Sequence, residues 1–456
     1  MRKLIVAAAI VCCAANAVAA GPSPPSFEGS WWGLLDVGLT KLHIAFKLRH
    51  DPSGWSGQFS SPDQKKDAWL PLSSVTVDGD KLKLAIDKLH VTYEGQRVDA
   101  DNVKGTFTQG EPLPLNLVRG EAPINRHPQE PKPPFPYASE DVTVENAAAA
   151  LTLGCTLTHP NTPQFPVVIF ITGSGQQDRD ENIFGHKPFL LLADALARQG
   201  IAALRCDDRG GHHSTGNFAT ATTLDFAGDV TAQLAWIKAR PDVDKKHIGL
   251  IGHSEGGIIA PIVASRSSDI AFLVLLAGMG QRGDDLLTHQ VGQIQRANGG
   301  TAAEVAAAEK QERALLTIVM HEKDDAKAMA QLKAALQQAG GAPAGDQALE
   351  AQLRPMVSPW YRGLLAIDPR VYLRKVKVPV LALNGARDVQ VSVENLQAIK
   401  QALAGDHDVT AQVLPGLNHL FQHCKECKVQ EYATIEETMS PEVVQLVVDW
   451  VHKHAQ

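Results

Sequence analysis

Ile248-Gly249-Leu250-Ile251-Gly252-His253-Ser254-Glu255-Gly256-Gly257 is the stretch on which the fold turns. The first four residues are an apolar run of the kind expected for a strand buried on both faces. The run Gly257–Ala264 after them is compatible with a helix. Between them lies G-x-S-x-G, present once in the chain. A strand-to-helix turn this sharp strains the backbone at the serine. Glycines two before and two after it let the chains pass without side-chain clashes. The turn lifts the Ser254 hydroxyl to the end of the sheet. It sets the following amide, that of Glu255, at a helix N-terminus, where it can stabilise an oxyanion.

Working outward, further apolar runs repeat the strand pattern at Val167–Ile171, Ile201–Leu204, Phe272–Leu276 and Val380–Leu383, and a last strand is expected at Val409–Leu414. Helical patterns such as Leu190–Arg198 and Leu224–Ala239 lie between them. This alternation predicts an open, mostly parallel sheet covered by helices. It breaks once, between Gly280 and about Asp368, where good helix formers replace any strand pattern. Amphipathic helices are expected at Ala302–Met320 and Asp324–Gln338, in a helical cap (281–368) inserted after the sixth strand of the sheet.

A serine hydroxyl is a weak nucleophile and needs a base oriented by an acid. In this architecture they follow in the order serine, acid, histidine, on loops beyond the C-terminal ends of strands. Asp388 follows Val380–Leu383, and His419 follows Val409–Leu414. Asp406 and Asp408 compete for the acid, and His407 and His423 for the base. Asp406, His407 and Asp408 precede the last strand, at the wrong end of the sheet. A second oxyanion donor is expected from the glycine-rich Thr172-Gly173-Ser174-Gly175-Gln176. The Ser174 amide is the candidate, with Gly175 next. Asp178, Arg179 and Asp180 are expected to form a polar network that shapes this loop. Asp207-Asp208-Arg209-Gly210-Gly211-His212-His213 reads as a turn held by Asp–Arg contacts and not as a metal site. Glu255 is expected either as a solvated residue at the mouth or as a polar contact for substrate. Trp360 and Tyr361 are expected to line a pocket wall or to pin the cap to the core.

The segment before this region differs. From about Ser26 to Arg119, Leu42, Ile44, Phe46 and Leu48 alternate with Lys41, His43, Ala45 and Lys47. Val75 and Val77 lead into Asp78-Gly79, a hairpin signal, after which Leu82, Leu84 and Ile86 resume the period. Val103–Thr108 and Leu113–Val118 continue it. A small antiparallel sheet or open barrel over 26–120 is expected, with Trp31 and Trp32 as packing residues. Prolines 123, 128, 131, 133, 134 and 136 predict an extended linker over 121–139, ahead of the catalytic domain at 140–456.

Residues 1–20 read as a secretory signal: Arg2 and Lys3, the apolar Leu4–Ala15, then Ala17-Val18-Ala19. A secreted or periplasmic protein without a stable membrane span is expected. Beyond the signal, Cys155, Cys206, Cys424 and Cys427 are too few for a disulfide scaffold. Cys424 and Cys427 suit a local disulfide, and without a second C-x-x-C no zinc site is expected. Hydrophobic residues at 44% and charged residues at 20% suit a globular chain. A net charge of −7 argues against a nucleic-acid partner.

Ile171–Asp180, Cys206–Gly210, Gly252–Gly257, Gly385–Asp388 and Asn418-His419 together resemble one branch of the α/β-hydrolase superfamily, the bacterial carboxylesterases with an N-terminal β domain. The likeness spans about Glu140 to Gln456, and Ser60-Ser61-Pro62-Asp63-Gln64 resembles that branch's extra domain. It implies ester hydrolysis, commonly of short acyl esters, without a cofactor, with Ser254, Asp388 and His419 as the triad. His212 and His213 depart from the pattern, where smaller or aliphatic residues are expected. A serine peptidase, an acyl-transfer enzyme on the same core and a non-catalytic binding protein are the alternatives. Peptidases of this core commonly carry a large gating domain, for which a sheet of this size is too small.

Overall fold

The computed structural model describes residues 26–37, 41–64, 68–122, 127–338, 346–406 and 408–456. The expected signal segment and His407 fall outside the described residues. The chain divides into two compact units, Met1–Pro123 and Ile124–Gln456.

The first unit is a ten-stranded, wholly antiparallel sheet. Its core is built on Phe27, Trp31, Phe46, Tyr93 and Phe107, with aliphatic residues from neighbouring strands. The expected hairpin forms from Ser74–Asp78 and Lys81–Ile86, with Gly79 at φ 57° in the turn. Lys41–Asp51 is one strand, but its polar face is not simply solvated. His43 is buried, its backbone N–H donating to Asp63 (2.6 Å) and its Nδ1 3.0 Å from the same carboxylate. Trp32 packs on that imidazole. The single strand expected over Leu113–Val118 divides into Glu111–Pro114 and Leu117–Arg119. Pro114 has no N–H to continue a ladder, so the chain breaks there before pairing again.

The second unit holds an eight-stranded sheet: β1 (Ala138–Asn146), β2 (Leu151–His159), β3 (Phe165–Ile171), β4 (Ala202–Cys206), β5 (Val243–His253), β6 (Phe272–Leu276), β7 (Val380–Gly385) and β8 (Val409–Leu414). They lie in the order β1-β2-β4-β3-β5-β6-β7-β8. β1 and β2 are antiparallel to each other, β2 is antiparallel to β4, and all later pairs are parallel. The continuous apolar run of β3 is explained by two cores. Val167, Ile169 and Ile171 enter one, and Val168 and Phe170 the other. Helices α1 (Pro188–Arg198), α2 (Thr223–Ala239) and α3 (Gly256–Ala264) follow β3, β4 and β5 respectively, α2 and α3 covering the first core and α1 the second. A Thr222–Asp225 capping box starts α2.

The β1–β2 hairpin was not anticipated, and β1 begins inside the expected linker. Residues ahead of it are tied into this unit: Gln129 donates to the Met439 carbonyl (2.7 Å) and accepts from the Thr438 amide (2.6 Å).

Between β6 and β7 the chain forms α4 (Gly283–Ala297), α5 (Ala302–His321), α6 (Asp325–Gln338), α7 (Asp346–Leu353), α8 (Pro359–Ala366) and the short α9 (Arg370–Leu373). α5 and α6 stand where the periodicity places them. α4, α7, α8 and α9 are additional. Leu316, Val319, Leu332, Leu353 and Leu365 give this cap its own apolar core. Helices α10 (Val393–Ala402) and α11 (Pro441–His454) complete the layers.

Candidate active site

Ser254 stands between β5 and α3 at φ 53°, a left-handed conformation that is strained for a residue bearing a side chain. The flanking glycines are sterically required. A Cβ on Gly252 would lie 2.1 Å from the Gly256 carbonyl oxygen, and one on Gly256 would lie 2.2 Å from that of Ile171. The Ser254 amide donates to Leu276 at the end of β6 (2.9 Å), which fixes the turn to the sheet.

Asp388 and His419 converge from the loops after β7 and β8. His419 Nδ1 lies 2.8 Å from Asp388 Oδ2. Asp388 Oδ1 accepts the amides of Gln390 (2.8 Å) and Val391 (2.9 Å), which fix the carboxylate in place. A carboxylate only accepts, so Nδ1 carries the imidazole proton and Nε2 keeps its lone pair. The competitors lie elsewhere. Asp408 pairs with His454 (3.2 Å), and the exposed His423 pairs with Glu437 (3.0 Å).

The loop after β3 is held by three carboxyl groups, Glu181 and Glu255 buried and Asp208 partly so. Asp208 accepts from Thr172 Oγ1 (2.8 Å) and from the Gln177 amide (2.7 Å). Glu181 accepts the Gly173 amide (2.7 Å). Glu255 is bonded by the Ser174 side chain. Burial pushes the Asp208 carboxyl up to about 7 against the pull of its hydrogen bonds. The Asp–Arg contacts of the 207–213 turn run to partners outside it. Asp207 pairs with Arg179 (2.6 Å), and Asp229 with Arg209 (2.7 Å). Asp180 pairs with Arg205. His213 packs over Gly154, and neither His212 nor His213 lines the substrate cavity.

Glu255 corrects both expectations for its side chain. It is 1% exposed, so it is neither solvated at the mouth nor open to substrate. Thr223 Oγ1 donates to it at 2.7 Å, and the Trp360 indole N–H reaches both carboxylate oxygens at 2.9 and 3.0 Å. Burial raises its carboxyl above the ordinary range, opposed by these hydrogen bonds. Its backbone amide stays at the start of α3.

One cavity of 410 Å³ opens onto this constellation. Ser254, His419, His253, Gly173 and Ser174 form its floor; Leu286, Leu287 and Val291 of α4, Glu312 of α5, and Trp360, Tyr361 and Leu364 of α8 also line it. Gly175 is not among its lining residues. Trp360 thus both lines the pocket and pins the cap through Glu255. Glu312, bonded to the Tyr361 hydroxyl, has its carboxyl raised by burial.

Sequence reasoning missed His253 and Glu181, whose side chains meet at 2.9 Å beside the serine. His253 was visible inside the G-x-S-x-G, and Glu181 is the next residue after the polar run that ends at Asp180. It also missed the Cys155–Cys206 disulfide, which joins β2 to β4. Cys424 and Cys427 are bonded as a local pair. Glu431 lies near those sulfurs, but its carboxylate accepts the amides of Lys425, Glu426 and Cys427 (2.6–3.0 Å).

Sheet order, helical layers and a serine on the turn after β5 define an α/β-hydrolase. Residues 136–423 match the sequence profile of the X-Pro dipeptidyl-peptidase (S15) family, and the chain belongs to that family. It is 25% identical over 288 residues to esterase EstD of Thermotoga maritima, covering 63% of this chain and 61% of that one. Solved structures with some likeness include DcsB in complex with its substrate analogue (TM-score 0.46, 16% identity, 70% of this chain and 99% of that one). Another is esterase Pf2001 of Pyrococcus furiosus (0.45, 16%, 70% and 92%). A third is Est1E of Butyrivibrio proteoclasticus with ferulic acid (0.42, 18%, 68% and 96%).

Proposed function

We propose that this protein is a serine carboxylesterase acting on small-molecule esters, short acyl chains foremost. The observation that carries this reading is the strained Ser254 facing the same cavity as a His419 whose Nδ1 is bonded to Asp388. His419 Nε2 takes the Ser254 proton as Oγ attacks the ester carbonyl. The amides of Glu255 and Ser174 hold the oxyanion, and the alcohol leaves with the proton from His419. Water, deprotonated by the same histidine, then cleaves the acyl-enzyme. Among the described lining residues there is no lysine or arginine, which suits an uncharged acyl group. The likeness to EstD favours esters over amides.

The family match favours one other reading, removal of an X-Pro dipeptide from a peptide. The two are separated by assaying p-nitrophenyl esters beside X-Pro p-nitroanilides, with Ser254→Ala as control. The esterase reading requires ester turnover at least about a hundred-fold faster in kcat/KM, and a loss of several orders of magnitude in the variant. Preferred anilide cleavage makes the chain a peptidase. A Ser254→Ala protein with a tenth of the activity left removes the nucleophile.

Export to the periplasm or beyond, with cleavage near Ala20 or Gly21, is part of the proposal. Among the described residues no helix is long and apolar enough to cross a membrane. Intact mass of protein recovered from the expression host's periplasm tests the cleavage.

A further inference from the structure

We propose that Glu181 and His253 act as a positioning pair that locks the oxyanion loop, the nucleophile turn and the His419 loop to one another. This rests on the triad reading above. Three segments that contribute separate parts of the reaction meet at these two side chains. Glu181 Oε1 accepts the Gly173 amide (2.7 Å) on the oxyanion loop and lies 2.9 Å from His253 Nδ1 on the residue before the nucleophile. His253 Nε2 lies 3.1 Å from the backbone carbonyl oxygen of His419. A carbonyl oxygen only accepts, and a carboxylate only accepts. With Glu181 as a carboxylate, both ring nitrogens of His253 donate and the pair is an imidazolium on a carboxylate.

The packing leaves no alternative partner. His253 is 5% and Glu181 1% exposed. A Cβ on Gly173 would sit 3.1 Å from Glu181 Oε1 and 3.3 Å from Ser254 Cβ, so the loop passes closely between them. Glu181 is held at φ 53°, a conformation disfavoured for glutamate and maintained by these contacts. Although burial opposes a charge on His253, the Glu181 carboxylate raises its pKa above the usual histidine value. The titratable groups facing it are Glu181, Asp388 and His419, whose ring centroid is 4.7 Å from its own, with Tyr432 beside the His419 backbone.

The test uses the full chain and p-nitrophenyl acetate, with His253→Gln, Glu181→Gln and the double variant. Misplacing a reacting group by an ångström costs up to about a hundred-fold, so each single variant should lose roughly 10- to 100-fold in kcat with KM within about threefold. The double variant should be no worse than the worse single, because the pair acts as one unit. The pH profile separates this from a merely structural role. His253→Gln leaves Glu181 uncompensated near His419 and should move the acid limb of kcat/KM up by about half a pH unit or more. Glu181→Gln should not move it up. Variants that keep more than half of wild-type kcat, or that shift the limb in the same direction, overturn the proposal. If His253→Gln does not fold, the near-isosteric Glu181→Gln decides by its kcat. Fluorophosphonate labelling of the wild type is run first. Labelling at a serine other than Ser254 fails the triad, whereas Ser254 labelled and both variants unslowed fails the pair alone.

Discussion

Replacing Trp360 by phenylalanine and by alanine separates two roles held by one side chain. The indole N–H donates to both oxygens of the buried Glu255 carboxylate at 2.9 and 3.0 Å, and the ring walls the cavity that contains Ser254. Trp360→Phe keeps most of the wall and deletes the donor. A hydrogen bond to a buried charged group contributes about 1.5–3 kcal/mol. For a unit of this size that loss lowers the melting temperature by roughly 2–4 °C. The acyl-length ranking should stay as in the wild type. Trp360→Ala loses the donor and also opens the wall. Each further methylene that enters the new space gains about 0.8 kcal/mol, close to fourfold in kcat/KM per carbon. The assay is a series of p-nitrophenyl esters from acetate to decanoate, read beside thermal unfolding of the same preparations. A Phe variant that melts with the wild type would refute the pinning role. An Ala variant that is folded yet keeps the wild-type ranking would refute the wall.

The remaining predictions concern charge and redox state. Asp388→Asn should cut kcat by about 10⁴-fold through the wrong imidazole tautomer, while Asp406→Asn and Asp408→Asn leave it within twofold; steady-state kinetics on the three variants decides, and the reverse pattern would move the acid. The Asp208 carboxyl is raised to about 7 in the folded protein, so its contribution is fully present below the unfolded value near 4 and lost as pH rises through 7. The wild-type melting temperature should accordingly fall more between pH 5 and pH 8 than that of Asp208→Asn, and parallel curves would contradict the assignment. Exported protein should show no free thiol at the four described cysteines, and mild reduction followed by alkylation should label Cys424 before Cys155 or Cys206, since Cys155 is fully buried and Cys206 nearly so. Peptide mass mapping reads the order, and simultaneous labelling would count against it.

Local pattern carried a large share of this structure. Apolar runs marked five of the eight strands of the second sheet, and the turn after β5 declared itself through two glycines whose absent side chains the packing demands. Asp388 and His419 were legible because chain order and strand ends restrict where an acid and a base can stand. What escaped depends on distant pairs. The Glu255 side chain is buried because Thr223 of α2 and Trp360 of α8 meet over it, 32 and 105 residues away in sequence. Cys155 faces Cys206 only because β2 lies against β4 with β3 on the far side, a strand order that spacing does not specify. Glu181 reaches the nucleophile turn through a left-handed backbone that no propensity favours. The β1 edge strand interleaves Glu140, Asp141 and Glu145 with its valines, charges that protect an open edge and blur the alternation.

The cap leaves the sheet from β6 and returns to β7, and these two strands are hydrogen-bonded neighbours, with Leu273 opposite Val380 and Leu276 opposite Leu383. The two strands are parallel, so the chain must cross from the Leu276 end of the sheet to the Val380 end, but the cap closes at its own base, where the Gly283 amide donates to the Ile367 carbonyl (3.4 Å) and makes a fixed frame. Loop-closure entropy grows only with the logarithm of length, so lengthening or shortening what hangs from that frame changes the closure term by about 0.6 kcal/mol per doubling. With a core of its own, the inserted module can be traded between related chains without rebuilding the strands that carry Ser254, Asp388 and His419. Divergence in ligand choice within such a lineage would then be concentrated in one contiguous segment, and grafting that segment between two relatives would carry preference across with it.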